Sequence, residues 1–363
     1  MTSVMMTADT VGGVWTYSLE LVDALAGRGV EVRLATMGAP MSRQQRRELE
    51  SSAVAEAREA TFALEWRDEP WGEVGLAGEW LLDLEQQWAP DLVHLNGYVH
   101  GALPWRAPAL VVGHSCVLSW WQEVHGRPAP PEWDDYRSRV SAGLAAAGAV
   151  VAPTQAMADA LGRCYGVSGV RVIANCRQAR WVADIAKEPM VMSAGRLWDE
   201  AKNVALVDQV AARLPWPVVI AGDTRGPEGS AAGQWAPGSA ERLGPLAFDQ
   251  LAGWLMRASV FVHPARYEPF GLAALEAGLA GCALVLGDIP SLRQVWGDAA
   301  IFVDPGDEQG LVRAVCELAG DGGLLGEMAG RARRRATEFS PERCAAAYVD
   351  AYEALLGRAG SPA

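Results

Sequence analysis

Lysine is almost missing from this chain. Of its 31 basic residues only Lys187 and Lys202 are lysines, and arginine carries the rest of the positive charge. A retained ammonium therefore marks a place where a compact, flexible point charge suits better than a guanidinium fork. Cations are also outnumbered. The chain has 44 acidic residues and a formal net charge of −13. Residues 1–186 carry 15 basic and 22 acidic residues and the remainder 16 and 22, so the deficit is even and no basic domain or tail exists. This argues against a nucleic-acid partner and gives no support for a strongly basic membrane surface. The local run Arg43, Arg46, Arg47 reads as a solvated helix face.

Cysteine is sparse and scattered. The six, at 116, 164, 176, 282, 316 and 344, form no Cys-x-x-Cys and no metal-ligand spacing with the five histidines. A zinc site or a disulfide framework is excluded on that pattern, and reduced thiols in the cytoplasm are expected. No apolar run reaches the ~20 residues that a membrane helix needs. Met1 to Ala8 lacks the charged region and long apolar core of a signal peptide, so a cytoplasmic chain without a transmembrane segment is expected. What is abundant is apolar surface. Half of the 363 residues are hydrophobic, enough for two cores, and the length suggests two domains.

Short apolar runs alternate with helical periods, which predicts α/β architecture with parallel sheets. In the first half, strands are expected at residues 2–8, 30–35, 92–95, 110–113 and 149–153, with a helix over 15–27 and Thr154 capping another. The loop Asp9-Thr10-Val11-Gly12-Gly13-Val14 follows the first strand but lacks Gly-x-Gly-x-x-Gly, so a dinucleotide dehydrogenase is disfavoured. In the second half, strands are expected at 190–194, 218–221, 260–263, 283–286 and 300–303. Helices are expected from Asn203 to Leu214 and at 250–256, and residues 225–245 read as loop. In parallel sheets ligands gather outside the carboxyl ends of strands, where Gly12, Gly13, His94 and His114 lie.

The densest chemical signal is Tyr267-Glu268-Pro269-Phe270-Gly271-Leu272-Ala273-Ala274-Leu275-Glu276. Leu272, Leu275 and Leu279 share a helical face with Glu276, while Glu268 stays on the preceding loop. The N–H groups of Phe270, Gly271 and Leu272 then open a helix that suits an anionic diphosphate, and the flanking carboxylates can accept hydrogen bonds from sugar hydroxyls. Upstream, Arg196 and Lys202 share one strand-to-helix loop. A cation at a helix start opposes the dipole, which favours a ligand-binding explanation for both. Gly12-Gly13, the Gly222-Asp223 turn and Gly244-Pro245-Leu246 are turns as well as candidate close approaches for a ligand. His94, Asn96 and His100, with Trp120, Trp121 and Trp133, are candidate acceptor contacts that core packing explains equally well.

These residues resemble the retaining glycosyltransferases of the GT4 family, whose Glu-x7-Glu motif is matched by Glu268 and Glu276 and whose Gly-Arg-Leu…Lys pattern is matched at Gly195-Arg196-Leu197 and Lys202. The resemblance implies the GT-B fold, two Rossmann-like parallel-sheet domains facing each other across a cleft. It places an acceptor-side domain at 1–180, a nucleotide-sugar domain at 181–339 and a helix at 340–357 returning to the first domain. The family's hinge carries an Asn-Gly-Val-Asp-like run, from which Ala174-Asn175-Cys176-Arg177 departs. By the same resemblance Glu268, Arg196, Lys202 and His114 are catalytic. Gly12, Gly13, Gly222, Asp223, Gly244, Leu246, Phe270, Gly271, Leu272 and Glu276 bind the donor, with Glu276 on the ribose. The expected donor is a nucleotide sugar such as UDP-glucose, and the acceptor a glycan, lipid or small molecule. No metal or other cofactor is expected.

Overall fold

The computed structural model describes residues 1–179, 185–224, 226 and 238–359. The chain divides into two units, Met1–Cys176 with Pro341–Ala363, and Arg177–Ser340. The boundary expected after residue 180 falls outside the described residues; the two units divide between Cys176 and Arg177.

The first unit is built on β1 (Thr2–Asp9), β2 (Val30–Met37), β3 (Glu56–Glu59), β4 (Leu92–Leu95), β5 (Ala109–Val112), β6 (Ala149–Ala152) and β7 (Arg171–Val172). All pairings are parallel, in the order β3-β2-β1-β4-β5-β6-β7. The helices between them are α1 (Gly13–Ala26), α2 (Arg43–Glu50), α3 (Trp71–Trp88), α4 (Val117–His125), α5 (Asp134–Ala146) and α6 (Gln155–Tyr165). Central strands such as β4 and β5 are buried at every residue, so they read as continuous apolar runs rather than alternating ones. Thr154 caps α6 as its position implied, accepting from the Met157 N–H. The outer strand β3, Glu-Ala-Arg-Glu, was not legible because its polar side chains pair with one another and with Arg46 instead of entering a core.

The second unit holds β8 (Glu188–Ala194), β9 (Val218–Ala221), β10 (Glu241–Gly244), β11 (Ala258–His263), β12 (Ala283–Gly287) and β13 (Ile301–Val303), in the parallel order β10-β9-β8-β11-β12-β13. Its helices are α7 (Val204–Val210), α8 (Phe248–Arg257), α9 (Leu272–Leu279), α10 (Pro290–Trp296), α11 (Glu308–Gly320) and α12 (Gly322–Ala336). Two expectations need correction. The helix after Asn203 ends at Val210 and tightens into a 3₁₀ turn over Ala211–Arg213. Part of the presumed loop 225–245 is the edge strand β10, whose Glu-Arg-Leu-Gly sequence carries no apolar run because it pairs on one side only; residues 225 and 227–237 lie outside the described residues.

The last helix, α13 (Pro341–Ala359), belongs to the first unit. Its Tyr348, Ala351, Tyr352 and Leu355 share a core cluster with Tyr17, Leu21 and Leu25 of α1 and with Val4 and Met6 of β1. No described helix is long and apolar enough to cross a membrane.

Candidate active site

In each sheet the strand order reverses once, between β1 and β4 in the first unit and between β8 and β11 in the second. Crevices at the carboxyl ends of such strands are the usual ligand sites of open parallel sheets. The sequence-predicted residues gather at both.

In the second unit β8 leads into Gly195 and Arg196, and β11 leads through His263 to the loop carrying Glu268. A 3₁₀ turn, Glu200–Lys202, packs on that loop. The Arg266 N–H donates to the Ala201 carbonyl at 2.8 Å, and Asn203 Nδ2 donates to the carbonyls of Pro264 and Pro305 at 2.9 and 2.8 Å. These bonds hold Lys202 against Glu268. Lys202 Nζ donates to Glu268 Oε2 at 2.8 Å, with the two side chains 12% and 15% exposed. His263 Nε2 lies 3.2 Å from the same oxygen. The Ser291 hydroxyl donates to the Glu268 carbonyl, fixing the backbone as well. Burial alone would raise the Glu268 carboxyl. The Lys202 charge and the His263 hydrogen bond outweigh it and hold the group well below the usual carboxylate range. Pairing is needed here, because a mostly buried carboxylate stripped of its cation is destabilising by about 3–5 kcal/mol.

The helix after Glu268 starts where expected. Gly271, at φ 94°, is its N-cap residue, a conformation that L side chains rarely adopt, and α9 begins at Leu272. Its first N–H groups have no preceding turn to donate to, so the Phe270–Leu272 segment presents backbone donors of the kind that suit an anion. Glu276 lies one turn inside, buried, and is not left for a ligand alone. Arg177 Nε donates to Glu276 Oε1 at 2.8 Å, and the guanidinium rests 4.5 Å from the ring centre of Phe248. Arg177, noticed in the sequence only as a departure from the family's hinge, is thus a partner of the second motif glutamate.

Arg196 is not brought to the Lys202–Glu268 pair. Its Nη2 donates to Asp199 Oδ2 at 2.8 Å, it lies 5.1 Å from the Trp198 ring centre, and its side chain is 41% exposed. Its loop is shaped by Gly222, at φ 146°, where a Cβ would lie 1.8 Å from the Gly195 carbonyl oxygen. The Gly222 N–H donates to the Gly244 carbonyl at 2.9 Å and the Leu197 N–H to the Asp223 carbonyl at 2.9 Å. The Gly222-Asp223 turn, Gly244 and the Arg196 loop are therefore one assembly, and Leu246 follows it. The other lysine is structural. Lys187 Nζ donates to the carbonyls of Leu255 and Ala258 at 2.9 Å each, where α8 gives way to β11.

In the first unit the chain of contacts runs through Asn96, just past β4. Asn96 Nδ2 donates to the Thr7 carbonyl at 2.7 Å and to Ser18 Oγ at 3.3 Å, so Oδ1 is an acceptor. That oxygen faces His114 Nε2 at 2.8 Å and His94 Nε2 at 3.2 Å. Both histidines must carry a proton on Nε2. Tyr352 of α13 then donates its hydroxyl to His94 Nδ1, at 2.7 Å. Burial lowers both imidazoles to about 3, and for His94 the neighbouring His114 adds to the effect. Both are neutral at physiological pH, which leaves Nδ1 of His114 as a hydrogen-bond acceptor. Tyr17 packs edge-on against His114, with ring centres 4.5 Å apart.

His94 is completely buried and held by Tyr352, so it faces no acceptor. His100 is half-buried and bonds through Nε2 to the Val74 carbonyl, at 3.1 Å. Trp120 meets Trp121 and His125 edge-on, Trp121 lies tilted against His125, and Arg127 covers Trp121. Trp133 packs edge-on against Tyr136. Gly12, at φ 76°, is the N-cap of α1, and Gly13 is its first residue. Three partners escaped the sequence: Arg177, His263 and Tyr352. The only signal for His263 was its place at a strand end, five residues before Glu268.

Two units, each an open parallel α/β sheet with one reversal of strand order, the second carrying a Lys–Glu pair before a helix start, define an architecture shared by many α/β enzymes. Family models narrow this. Residues 11–177 match Glycosyltransferase Family 4 and residues 188–321 match Glycosyl transferases group 1, so the chain belongs to the GT4-type glycosyltransferases of GT-B fold. It is 27% identical over 354 residues to the 2-deoxystreptamine N-acetyl-D-glucosaminyltransferase of Streptomyces fradiae, covering 86% of this chain and 84% of the relative. Other curated relatives align at 32–36% identity but over only 25–30% of their own lengths. Among solved structures, a sucrose-phosphate synthase of Thermosynechococcus elongatus superposes with a TM-score of 0.82 at 18% identity, over 99% of this chain and 100% of that one. HepE of Anabaena, solved with UDP-glucose, gives 0.75 at 16% identity, over 98% and 100%.

Proposed function

We propose that the protein transfers a sugar from a nucleotide-sugar donor, a UDP-sugar such as UDP-glucose, to a glycan, lipid or small-molecule acceptor with retention of anomeric configuration. The observation that carries this reading is the Lys202–Glu268 pair at the start of α9, with Arg196 on the adjoining loop. A departing nucleoside diphosphate gathers negative charge, and fixed cations with oriented N–H groups stabilise that charge without reorganising. Lys202 and the N–H groups of Phe270, Gly271 and Leu272 meet the phosphates, with Arg196 as a second cation. Glu276 takes the ribose hydroxyls. Gly222, Asp223, Gly244 and Leu246 shape the place for the base and ribose. Glu268, kept ionised, faces the developing positive charge on the sugar. In the first unit His114 accepts from a sugar hydroxyl through Nδ1, and the Gly12-Gly13 turn admits close backbone approach.

The reaction on this reading needs no resident metal, since the chain's own cations answer the phosphate charge, and it proceeds in the cytoplasm. Retention follows a front-face course, in which the leaving phosphate takes the acceptor's proton. Support comes from the cationic site, from family membership and from the UDP-glucose held by a structural neighbour. A thermal-shift panel of nucleotide sugars, followed by mass spectrometry of products from candidate acceptors, tests the proposal. Stabilisation by a UDP-sugar and a glycosylated product with the donor's anomeric configuration are expected. Binding without transfer to any acceptor would leave a non-catalytic nucleotide-sugar binder, product formation without acceptor an epimerase, and a trapped glycosyl-carboxylate adduct would end the front-face course.

A further inference from the structure

Both hydrogen bonds to the Glu268 carboxylate converge on one oxygen. Lys202 Nζ and His263 Nε2 share Oε2, at 2.8 and 3.2 Å. An ionised carboxylate only accepts, so His263 must carry a proton on Nε2. Its other nitrogen, Nδ1, is completely buried without a hydrogen-bond partner among the described residues, on a side chain 1% exposed whose ring stacks near Phe261. Among the described residues, Lys202 and Glu268 are the charged groups joined at this ring. Lys202 is a flexible ammonium, and the proposed ligand's phosphates compete for it. If it turns to them, the carboxylate loses its cation, and His263, fixed at the end of β11, is the partner that stays.

We propose that His263 is a positioning residue of the donor site: donating from Nε2, it keeps Oε2 of Glu268 in place when Lys202 engages phosphate, so that Oε1 alone is presented to the ligand. The role of Glu268 toward the sugar rests on the glycosyl-transfer reading above; the Nε2 proton and the His263–Glu268 bond do not. The chain has only five histidines, so long-range ¹H–¹⁵N spectra of ¹⁵N-histidine-labelled protein resolve each ring. The signal missing from His263→Gln identifies His263. It should show a proton on Nε2 with a downfield hydrogen-bonded N–H that persists in Lys202→Met and on adding UDP. A ring without a proton on Nε2, or loss of the bonded N–H in Lys202→Met, overturns the proposal.

Kinetics with UDP-glucose supply the second arm. His263→Met should lower kcat by up to about 100-fold, the scale of a misplaced reacting group, with KM changed less than about threefold and the melting temperature kept. His263→Gln, whose amide can still donate to Oε2, should recover most of the loss. Equal impairment of both variants, or a fully active Met variant, counts against positioning. If the wild type consumes no nucleotide sugar, the transfer reading fails, while the spectra still decide whether His263 holds Glu268.

Discussion

Acidification should destabilise the first unit as its buried histidines are driven to take protons, an effect that Glu65, whose carboxyl is raised by burial, partly opposes toward acidic pH. His94 and His114 have an ordinary pKa of 6.5, and the fold lowers each to about 3. The folded state thus refuses protons that the unfolded chain accepts. Stability is fully present above pH 6.5 and is lost as pH falls from there toward 3. The slope is about 1.4 kcal/mol per pH unit for each histidine. Between pH 7.5 and 5.0 that amounts to about 2 kcal/mol for each and about 4 kcal/mol for the two. His100, lowered by burial, acts in the same direction. Glu268, whose pKa is depressed in the second unit, gives up its stabilising contribution only as pH falls below its ordinary 4.5, so the two effects separate on the pH axis. Equilibrium urea unfolding at pH 7.5, 6.5, 5.5 and 5.0 measures the wild-type loss. His94→Gln and His114→Gln each remove one proton-uptake site and should each flatten the profile by about 2 kcal/mol over this range. A wild-type stability that is constant from pH 7.5 to 5.0, or two Gln variants that keep the full slope, would refute the buried neutral network.

Other expectations concern the ligand site. Lys202→Ala and Glu276→Ala should each weaken UDP-sugar binding or turnover at least tenfold with the fold retained, as read by calorimetry and circular dichroism; near-wild-type behaviour in both defeats the site assignment. Glu268→Ala should lower kcat more than donor affinity, and an effect on affinity alone would make it a binding residue. Gly222→Ala drives a methyl group into the Gly195 carbonyl and should displace the Arg196 loop, costing at least about 1–3 kcal/mol of stability together with nucleotide binding. Unchanged melting and binding in this variant would show that the loop accommodates a side chain.

Several elements were legible because local chemistry and fold agree. Leu92–Leu95 and Val218–Ala221 are apolar runs that became buried strands with the bounds read from sequence, and Thr154 announced its helix. Strands β3 and β10 were not legible, since edge strands of Glu and Arg are stabilised by backbone pairing and surface ion pairs rather than by an apolar face. The two lysines show the same division. Their rarity marked both, yet only Lys202 meets a carboxylate of the motif, whereas Lys187 gathers the carbonyls between α8 and β11.

Chemistry carried by neighbours in sequence was fixed by the chain itself. The Glu268–Glu276 spacing across a glycine turn makes a helix start with a carboxylate on either side, because α-helical geometry leaves little freedom over eight residues. Partners that are distant in sequence were decided by tertiary structure alone. Glu276 with Arg177, Glu268 with Lys202 and His263, and His94 with Tyr352 meet because strand order and the return of the last helix bring separate segments together. Those meetings set which groups are charged. A carboxylate or an imidazole titrates according to its burial and its neighbours, and neither can be read from its own position in the chain.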